Sequence, residues 1–314
     1  MNPLEQAVSD YLKVRRALGY ELKMHGKLLP NFLAYLQDAG AQRLTVEHAL
    51  GWATLPAGAG GSPAWCARRL SVVRGFARWL QSIDPSTEVP PAGLLPAGSE
   101  RATPYLYSGQ EVAALIAAAG ALRVPLRAAT YQTLIGLLAV TGLRVGEAIA
   151  LDRGDFDAAH GLLTVRHGKF GKSREIPLHS STVEALGVYL RRRDRVLRRE
   201  PTRPAVFIST AGTRLHYCNV HATFEGLVRR AGLIPRSARC RPRLHALRHT
   251  FAVNTVMDGY RADGDVQARL SLLSTYMGHV DPVSGYWYLS AAPELLALAA
   301  ERLERRPGGE GGRL

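Results

Sequence analysis

The chain has 314 residues, enough for two domains of ordinary size, and its 46% hydrophobic and 21% charged residues exclude a protein disordered throughout. Its apolar stretches fall far short of the ~20 residues that span a bilayer, and its first residues lack the apolar core of a secretory signal. Three widely spaced cysteines form neither a disulfide framework nor a zinc-finger pattern. We therefore expect a cytoplasmic protein with reduced thiols.

The basic charge is concentrated in one part of the chain. The formal net charge is +14, and the block from Arg166 to Arg248 alone holds 19 Lys and Arg against 5 Asp and Glu. Such a block in a globular protein indicates a polyanionic partner, with DNA, RNA and anionic membrane as candidates, although charge alone also allows a solvated basic face. The arginines of 191–199 would fall around all sides of a helix, which argues against a membrane-surface helix.

The first part of the chain reads as a helical domain over residues 1–84. Apolar spacing predicts helices over 4–18 and 27–39, a third after Thr45, and a fourth that begins at Ser62-Pro63. Three basic residues of the fourth helix lie off its apolar face and are predicted to contact DNA: Arg68, Arg74 and Arg78. A stretch with five prolines, 85–104, then predicts an extended linker.

The second domain, residues 105–306, is predicted to be mainly α-helical with a small antiparallel β-sheet. A capping box at Ser108–Glu111 opens its first helix, and Gly142 ends the next, predicted over 127–140. Two short β-branched runs, 162–166 and 175–178, flank a loop and predict a hairpin or three-stranded sheet. Further helices are predicted over 181–199, 216–231, 244–258, 265–277 and 293–305, before a disordered tail over 307–314.

Two familiar cofactor motifs fail on inspection. Gly168–Ser173 ends like a nucleotide-binding P-loop, but its spacing leaves no room for the loop that cradles phosphates. His245 and His249 have the spacing of zinc ligands on a helix, but Ala246 stands where a metalloprotease needs its glutamate base. We therefore expect neither a metal nor any other cofactor.

What remains is a set of cationic and proton-transferring groups on separate elements. Because guanidinium groups bind non-bridging phosphate oxygens bidentately and a tyrosine can act as nucleophile, this set suits a phosphodiester. Its members are Arg144, Lys172, His245, Arg248, His279, Tyr286 and Tyr288.

In their order and spacing these residues resemble the tyrosine recombinases, or phage integrases. The resemblance rests on four motifs, Thr-Gly-Leu-Arg144-Val-Gly-Glu147, Gly-Lys-Phe-Gly-Lys172-Ser-Arg-Glu-Ile-Pro-Leu178, Leu-His245-Ala-Leu-Arg248-His-Thr-Phe-Ala252, and Met-Gly-His279 followed by Tyr288. It extends over about 200 residues, and the N-terminal helical domain with its linker resembles that family's core-binding module. The run Tyr-Trp-Tyr-Leu-Ser290 further resembles the branch encoded by transposons and other mobile elements.

The resemblance implies a function, a partner and a role for each residue. Tyr288 would attack the scissile phosphate of duplex DNA and form a 3′-phosphotyrosyl link, with Arg144 and Arg248 neutralising the phosphate. Lys172 would protonate the leaving 5′-oxygen, His245 would accept the tyrosine proton, and His279 would donate to the phosphate. Glu147, one turn after Arg144, would orient it.

The implied assembly is a homotetramer on two paired DNA sites, or a mixed tetramer with related recombinases. The implied location is the cytoplasm, in association with the nucleoid. Further DNA contacts are predicted at Lys169, Arg174, Arg241 and Arg243.

Several alternatives stay open at this point. Tyr286 is a second candidate nucleophile. Lys169 is a second candidate acid, because the chain has 35 arginines and only 5 lysines, and two of those lysines, Lys169 and Lys172, are in one predicted loop. The same chemistry would serve a type IB topoisomerase-like nicking-closing enzyme, and a non-catalytic DNA-binding regulator could share the fold.

Overall fold

In the computed structural model the chain forms two compact units, residues 1–102 and 103–314. The residues described are 3–56, 62–96, 104–166, 173–197, 204–262 and 266–278. The predicted helix over 293–305 and the tail over 307–314 lie outside them.

The first unit is a bundle of four α-helices. They are α1 (Pro3–Ala17), α2 (His25–Asp38), α3 (Val46–Thr54) and α4 (Pro63–Gln81). Thr45 and Ser62 cap α3 and α4 as predicted, each accepting a hydrogen bond from a backbone N–H of the first turn. The helices enclose a core in which Phe32 and Phe76 are fully buried.

Residues 85–96 of the predicted linker belong to the first unit. Thr87 is buried, the Glu88 backbone N–H donates to the carbonyl of Leu44, and the Arg74 guanidinium donates to the carbonyls of Pro90 and Pro91 at 2.8 Å each. Residues 85–96 therefore pack against the four helices instead of extending away from them. The physical reason is that proline carbonyls are good acceptors, and Arg74 satisfies two of them at once.

The second unit is mainly helical. Its helices are α5 (Gly109–Gly120), α6 (Pro125–Thr141), α7 (Val145–Ala150), α8 (Ser180–Leu197), α9 (Tyr217–Arg230), α10 (Leu244–Arg261) and α11 (Val266–Tyr276). The capping box of Ser108 and Glu111 at α5 is present as predicted. The central helix α6 packs against α5, α8 and α10, with Leu134 and Ile135 buried at its middle.

A small antiparallel sheet lies beside these helices, as predicted. It consists of β1 (Phe156–Asp157), β2 (Leu162–Val165) and β3 (Arg174–Pro177), in the order β1-β2-β3. Leu163 pairs with Ile176 and Val165 with Arg174. Because Leu163 and Ile176 are fully buried, the sheet is held to the helical core by this pair and presents the start of β3 next to α7.

Candidate active site

The site is built where α6 ends and α7 begins. Gly142 ends α6 in the left-handed conformation, at φ +60°, and a side chain there would collide with the ring of Phe251. A residue other than glycine would be strained at this φ and sterically blocked as well. The tight turn places Arg144 at the N-cap of α7, with its guanidinium beside the end of α11.

Glu147 holds Arg144 in this position. One oxygen of its carboxylate accepts a hydrogen bond from Nη1 of Arg144 at 2.6 Å, and the other accepts from the Arg144 backbone N–H at 3.0 Å. Nη2 of Arg144 donates to the carbonyl of Gly278 at 3.3 Å. Burial alone would raise the pKa of Glu147, but hydrogen bonds from Arg174 and Arg144 outweigh it and lower the pKa. The carboxylate therefore stays ionised, as an orienting group for arginine must.

Arg248 lies in the interior, only 2% exposed. Its Nη1 donates to the carbonyl of Gly142 at 2.6 Å and its Nη2 to the carbonyl of Met277 at 2.7 Å. One guanidinium thus joins the end of α6 to the end of α11. Hydrogen bonds from a charged donor are about twice as strong as neutral ones, so this bridge also stabilises the fold.

His245 lies one turn before Arg248 on α10 and reaches the surface. Its ring is edge-on to that of His249, with the centroids 4.6 Å apart. Partial burial, the charge of Arg248 and the charge of Arg144 all lower the pKa of His245 below the usual 6.5. The imidazole is therefore neutral at pH 7 and able to accept a proton.

These contacts bring three of the predicted catalytic residues together. Arg144 and Arg248 both donate to the Met277–Gly278 backbone, and His245 is close enough to both arginines for their charges to lower its pKa. The backbone they share directly precedes His279. The other predicted members of the site lie outside the described residues: Lys169, Lys172, His279, Tyr286 and Tyr288.

The predicted DNA-contact residues divide into two groups. Arg68, Arg78, Arg241 and Arg243 are exposed, the last two just before His245 in the chain, and they stay predictions. Arg74 and Arg174 differ from these four, because each is half-buried and its guanidinium is engaged within the protein. That of Arg74 is on the Pro90 and Pro91 carbonyls, and that of Arg174 is on Glu147.

The sequence carries a signal for the inward position of Arg174, although not for its partner. Residues two apart on a strand face the same side, and Arg174 is two residues before Ile176, the fully buried residue of β3. An arginine on the inward face of a strand needs an anionic partner. Glu147 was the acid already expected beside the site.

The comparisons with known proteins agree with this geometry. A model of the phage integrase family matches residues 107–294, which is more than half of the chain and contains every predicted catalytic residue. The chain belongs to the phage integrase family. Members of this family, the tyrosine recombinases among them, break and rejoin DNA, so the resemblance read from the four motifs is confirmed.

Two relatives and two solved structures illustrate the match. The chain is 43% identical to the integrase/recombinase homologue y4rB of Sinorhizobium fredii over 98% of each chain. It is 32% identical to tyrosine recombinase XerC of Azotobacter vinelandii over 71% of this chain and 68% of that one. Its fold is similar to the Tn1549 transposon integrase in complex with transposon right end DNA, with a TM-score of 0.68 at 17% identity, covering 96% and 98% of the two chains. The fold of a lambda integrase dimer bound to a core site gives a TM-score of 0.60 at 19% identity, covering 91% of this chain and 76% of that one.

The described residues contain neither a candidate metal site nor a membrane-spanning helix. No group of three or more His, Cys, Asp or Glu side chains within them is arranged to hold a metal ion. Among the same residues, no helix is both long enough and apolar enough to cross a membrane.

Proposed function

We propose that this phage integrase family member is a site-specific DNA recombinase that cuts and rejoins duplex DNA through a 3′-phosphotyrosyl intermediate on Tyr288. The observation that carries the proposal is the convergence of Arg144 and Arg248 on the Met277–Gly278 backbone, with a neutral His245 beside them. Two fixed cations can neutralise the two non-bridging oxygens of one phosphate, and preorganised donors of this kind supply a large part of a catalytic effect.

The chemistry proposed for each residue follows from its functional group. Tyr288 attacks the phosphorus while His245 takes its proton, and the bond to the 5′-oxygen breaks as Lys172 protonates that oxygen. The energy of the broken phosphodiester is retained in the protein–DNA ester. Attack by a free 5′-hydroxyl reverses the steps, so religation needs no nucleotide hydrolysis. His279, directly after the shared backbone, donates to the phosphate.

A nicked suicide substrate tests the proposal. Such a DNA loses its short cleaved strand, so the covalent protein–DNA adduct accumulates and is visible on a denaturing gel. We expect an adduct on sequences taken from the DNA that flanks the gene, and a strand-exchange product when two such sites are supplied. DNA binding with no adduct would indicate a regulator, and relaxation of supercoiled DNA by single subunits without strand exchange would indicate a topoisomerase-like enzyme.

The pKa of His245 predicts how cleavage depends on pH. Because the pKa is lowered from 6.5, the accepting neutral form predominates above that value, and the single-turnover cleavage rate should change little with His245 ionisation between pH 7 and 8. Below the lowered pKa the rate should fall about tenfold per pH unit as His245 protonates. Protonation also favours the unfolded chain, so the stability contributed by this residue is lost as pH falls below 6.5. In His245→Asn the cleavage rate should be lower by about 10²-fold, and the fall in rate at low pH should be absent. An unchanged fall at low pH would show that another group causes it.

Lysine 172 should be distinguishable from a simple phosphate ligand. Arginine stays protonated at any accessible pH, whereas a lysine ammonium can surrender a proton. Lys172→Arg should therefore bind DNA normally but cleave poorly. A substrate with sulfur in place of the bridging 5′-oxygen has a leaving group that needs no proton and should restore most of the cleavage, while Lys169→Arg serves as the matched control. Equal defects of Lys172→Arg on both substrates would make Lys172 a phosphate ligand.

We also propose assembly as a tetramer on paired sites, supported by the C-terminal sequence. On the helix that the sequence predicts over 293–305, Leu295, Leu296, Leu298 and Leu303 would form an apolar stripe. The stripe would dock on a neighbouring subunit. Deleting 292–314 should leave single-site binding intact and weaken paired-site complexes on native gels by tenfold or more, roughly the loss of one buried apolar contact. Paired complexes of unchanged abundance would contradict this assignment.

A further inference from the structure

Arg174 occupies a place in the site that the proposed function does not explain. It is the first residue of β3 and follows Lys172 by two positions. Its Nη2 donates to one carboxylate oxygen of Glu147 at 2.8 Å and its Nη1 to the other at 3.2 Å. The two side chains are 14% and 9% exposed, so this is a bidentate pair withdrawn from solvent.

Glu147 is shared between two arginines. The oxygen that accepts from Nη1 of Arg174 also accepts from Nη1 of Arg144. The second oxygen accepts from Nη2 of Arg174 and from the Arg144 backbone N–H. With Arg174 in place the carboxylate is held at both oxygens and has one orientation in which to present Arg144.

The same guanidinium lies against the backbone that precedes His279. Gly278 has φ +65°, and a Cβ at this position would be 3.1 Å from Nη1 of Arg174 and 3.8 Å from Nη1 of Arg144. Arg174 is thus in close contact with the motif of Arg144 and with that of His279. It also belongs to the same strand end as the loop of Lys172.

A direct DNA contact is a poor alternative for this residue. Both terminal nitrogens of Arg174 are on Glu147, and its Nε is buried without a hydrogen-bond partner among the described residues. A phosphate could bind Arg174 only if the pair with Glu147 opened. If the pair opened, the little-exposed carboxylate of Glu147 would lose the hydrogen bonds from Arg174, which costs free energy.

We infer that Arg174 is a positioning residue for strand cleavage, which fixes Glu147 and through it the guanidinium of Arg144 on the scissile phosphate. This inference rests on the proposed function and deepens it. It requires that loss of Arg174 lower the rate of the chemical step, at saturating enzyme, without weakening DNA binding. Residues that orient a directly acting group typically contribute tenfold to a hundredfold in activity.

The test compares Arg174→Gln and Arg174→Lys with the wild type and with Arg195→Gln, the same change at an exposed arginine of α8. Single-turnover cleavage of the suicide substrate is measured at saturating enzyme, with the DNA Kd and the Tm measured separately. We expect Arg174→Gln to cleave about 10–100-fold more slowly at unchanged Kd. Arg174→Lys, which keeps the charge but not the bidentate contact, should recover part of the rate, and Arg195→Gln should match the wild type.

Two modified substrates separate positioning from general loss of structure. A methylphosphonate at the scissile position removes one charged non-bridging oxygen. Cleavage of this substrate therefore depends less on a well-placed Arg144, and the ratio of the wild-type cleavage rate to that of Arg174→Gln should decrease. The 5′-sulfur substrate changes only the leaving group, which then needs no proton, and should leave this rate ratio unchanged.

Three results would overturn the inference: a weaker Kd with an unchanged saturated rate, an equal defect on all three substrates with a lowered Tm, or rescue by sulfur alone. An absent wild-type adduct on every substrate would instead refute the proposed function.

Discussion

Replacement of Tyr288 by phenylalanine should abolish the covalent protein–DNA adduct and leave DNA affinity within about twofold of wild type. Phenylalanine keeps the ring and removes only the oxygen that would form the bond to phosphorus, so no other group can complete the same step. The measurement is adduct formation on the suicide substrate, paired with the Kd of the same variant for the intact site.

Tyr286→Phe is the matched control, since it makes the same change two residues earlier in the chain. It should keep the adduct at the wild-type level. The reverse pattern would transfer the nucleophile to Tyr286. If both variants failed to form the adduct and one of them also had a lowered Tm, the ring of that tyrosine would have a packing role.

The second large effect is expected at Arg248. Arg248→Ala removes a charged donor from the phosphate site and should lower the cleavage rate by about 10²–10³-fold. It also leaves the carbonyls of Gly142 and Met277 without the two hydrogen bonds that Arg248 supplies. We expect the free energy of unfolding to fall by about 3–6 kcal/mol, since each of the two lost hydrogen bonds to a charged group is worth about 1.5–3 kcal/mol. Denaturant unfolding and single-turnover cleavage measure the two losses.

Arg144→Ala distinguishes the catalytic from the stabilising contribution of Arg248. The Arg144 side chain is 25% exposed and lies at a helix N-cap, whereas Arg248 is enclosed. The two variants should lose similar factors in rate, but Arg144→Ala should lose much less stability. Equal losses in the free energy of unfolding would show that the interior bridge of Arg248 stabilises the fold no more than the contacts of Arg144 do.

Local signals in the sequence were enough for most of the architecture. The caps of α3, α4 and α5, the glycine that ends α6 and the two β-branched runs each depend on neighbouring residues, and each was predicted from them. The packing of 85–96 was not predicted, because composition shows that a segment is extended but not what its carbonyls contact. Arg74, which supplies that contact, is only 16 residues from Pro90.

The site shows the same limit. The ordered motifs predict Arg144, His245 and Arg248 as site residues, and the structure brings the three together. Arg174 is predicted from the sequence as a DNA contact, whereas its guanidinium lies on Glu147. That it faces Glu147 depends on how β3 sits beside α7, a tertiary relation that no local pattern reports.

The buried bridge made by Arg248 limits how this protein can lose its activity over generations. By the proposed function, a mutation that removes Arg248 would damage the fold as well as the chemistry, so such a chain would be degraded before it could be kept for another purpose. A descendant that only binds DNA would therefore retain Arg248 as a structural relic. Decayed copies that still fold should instead carry their inactivating changes at positions that do not support the interior.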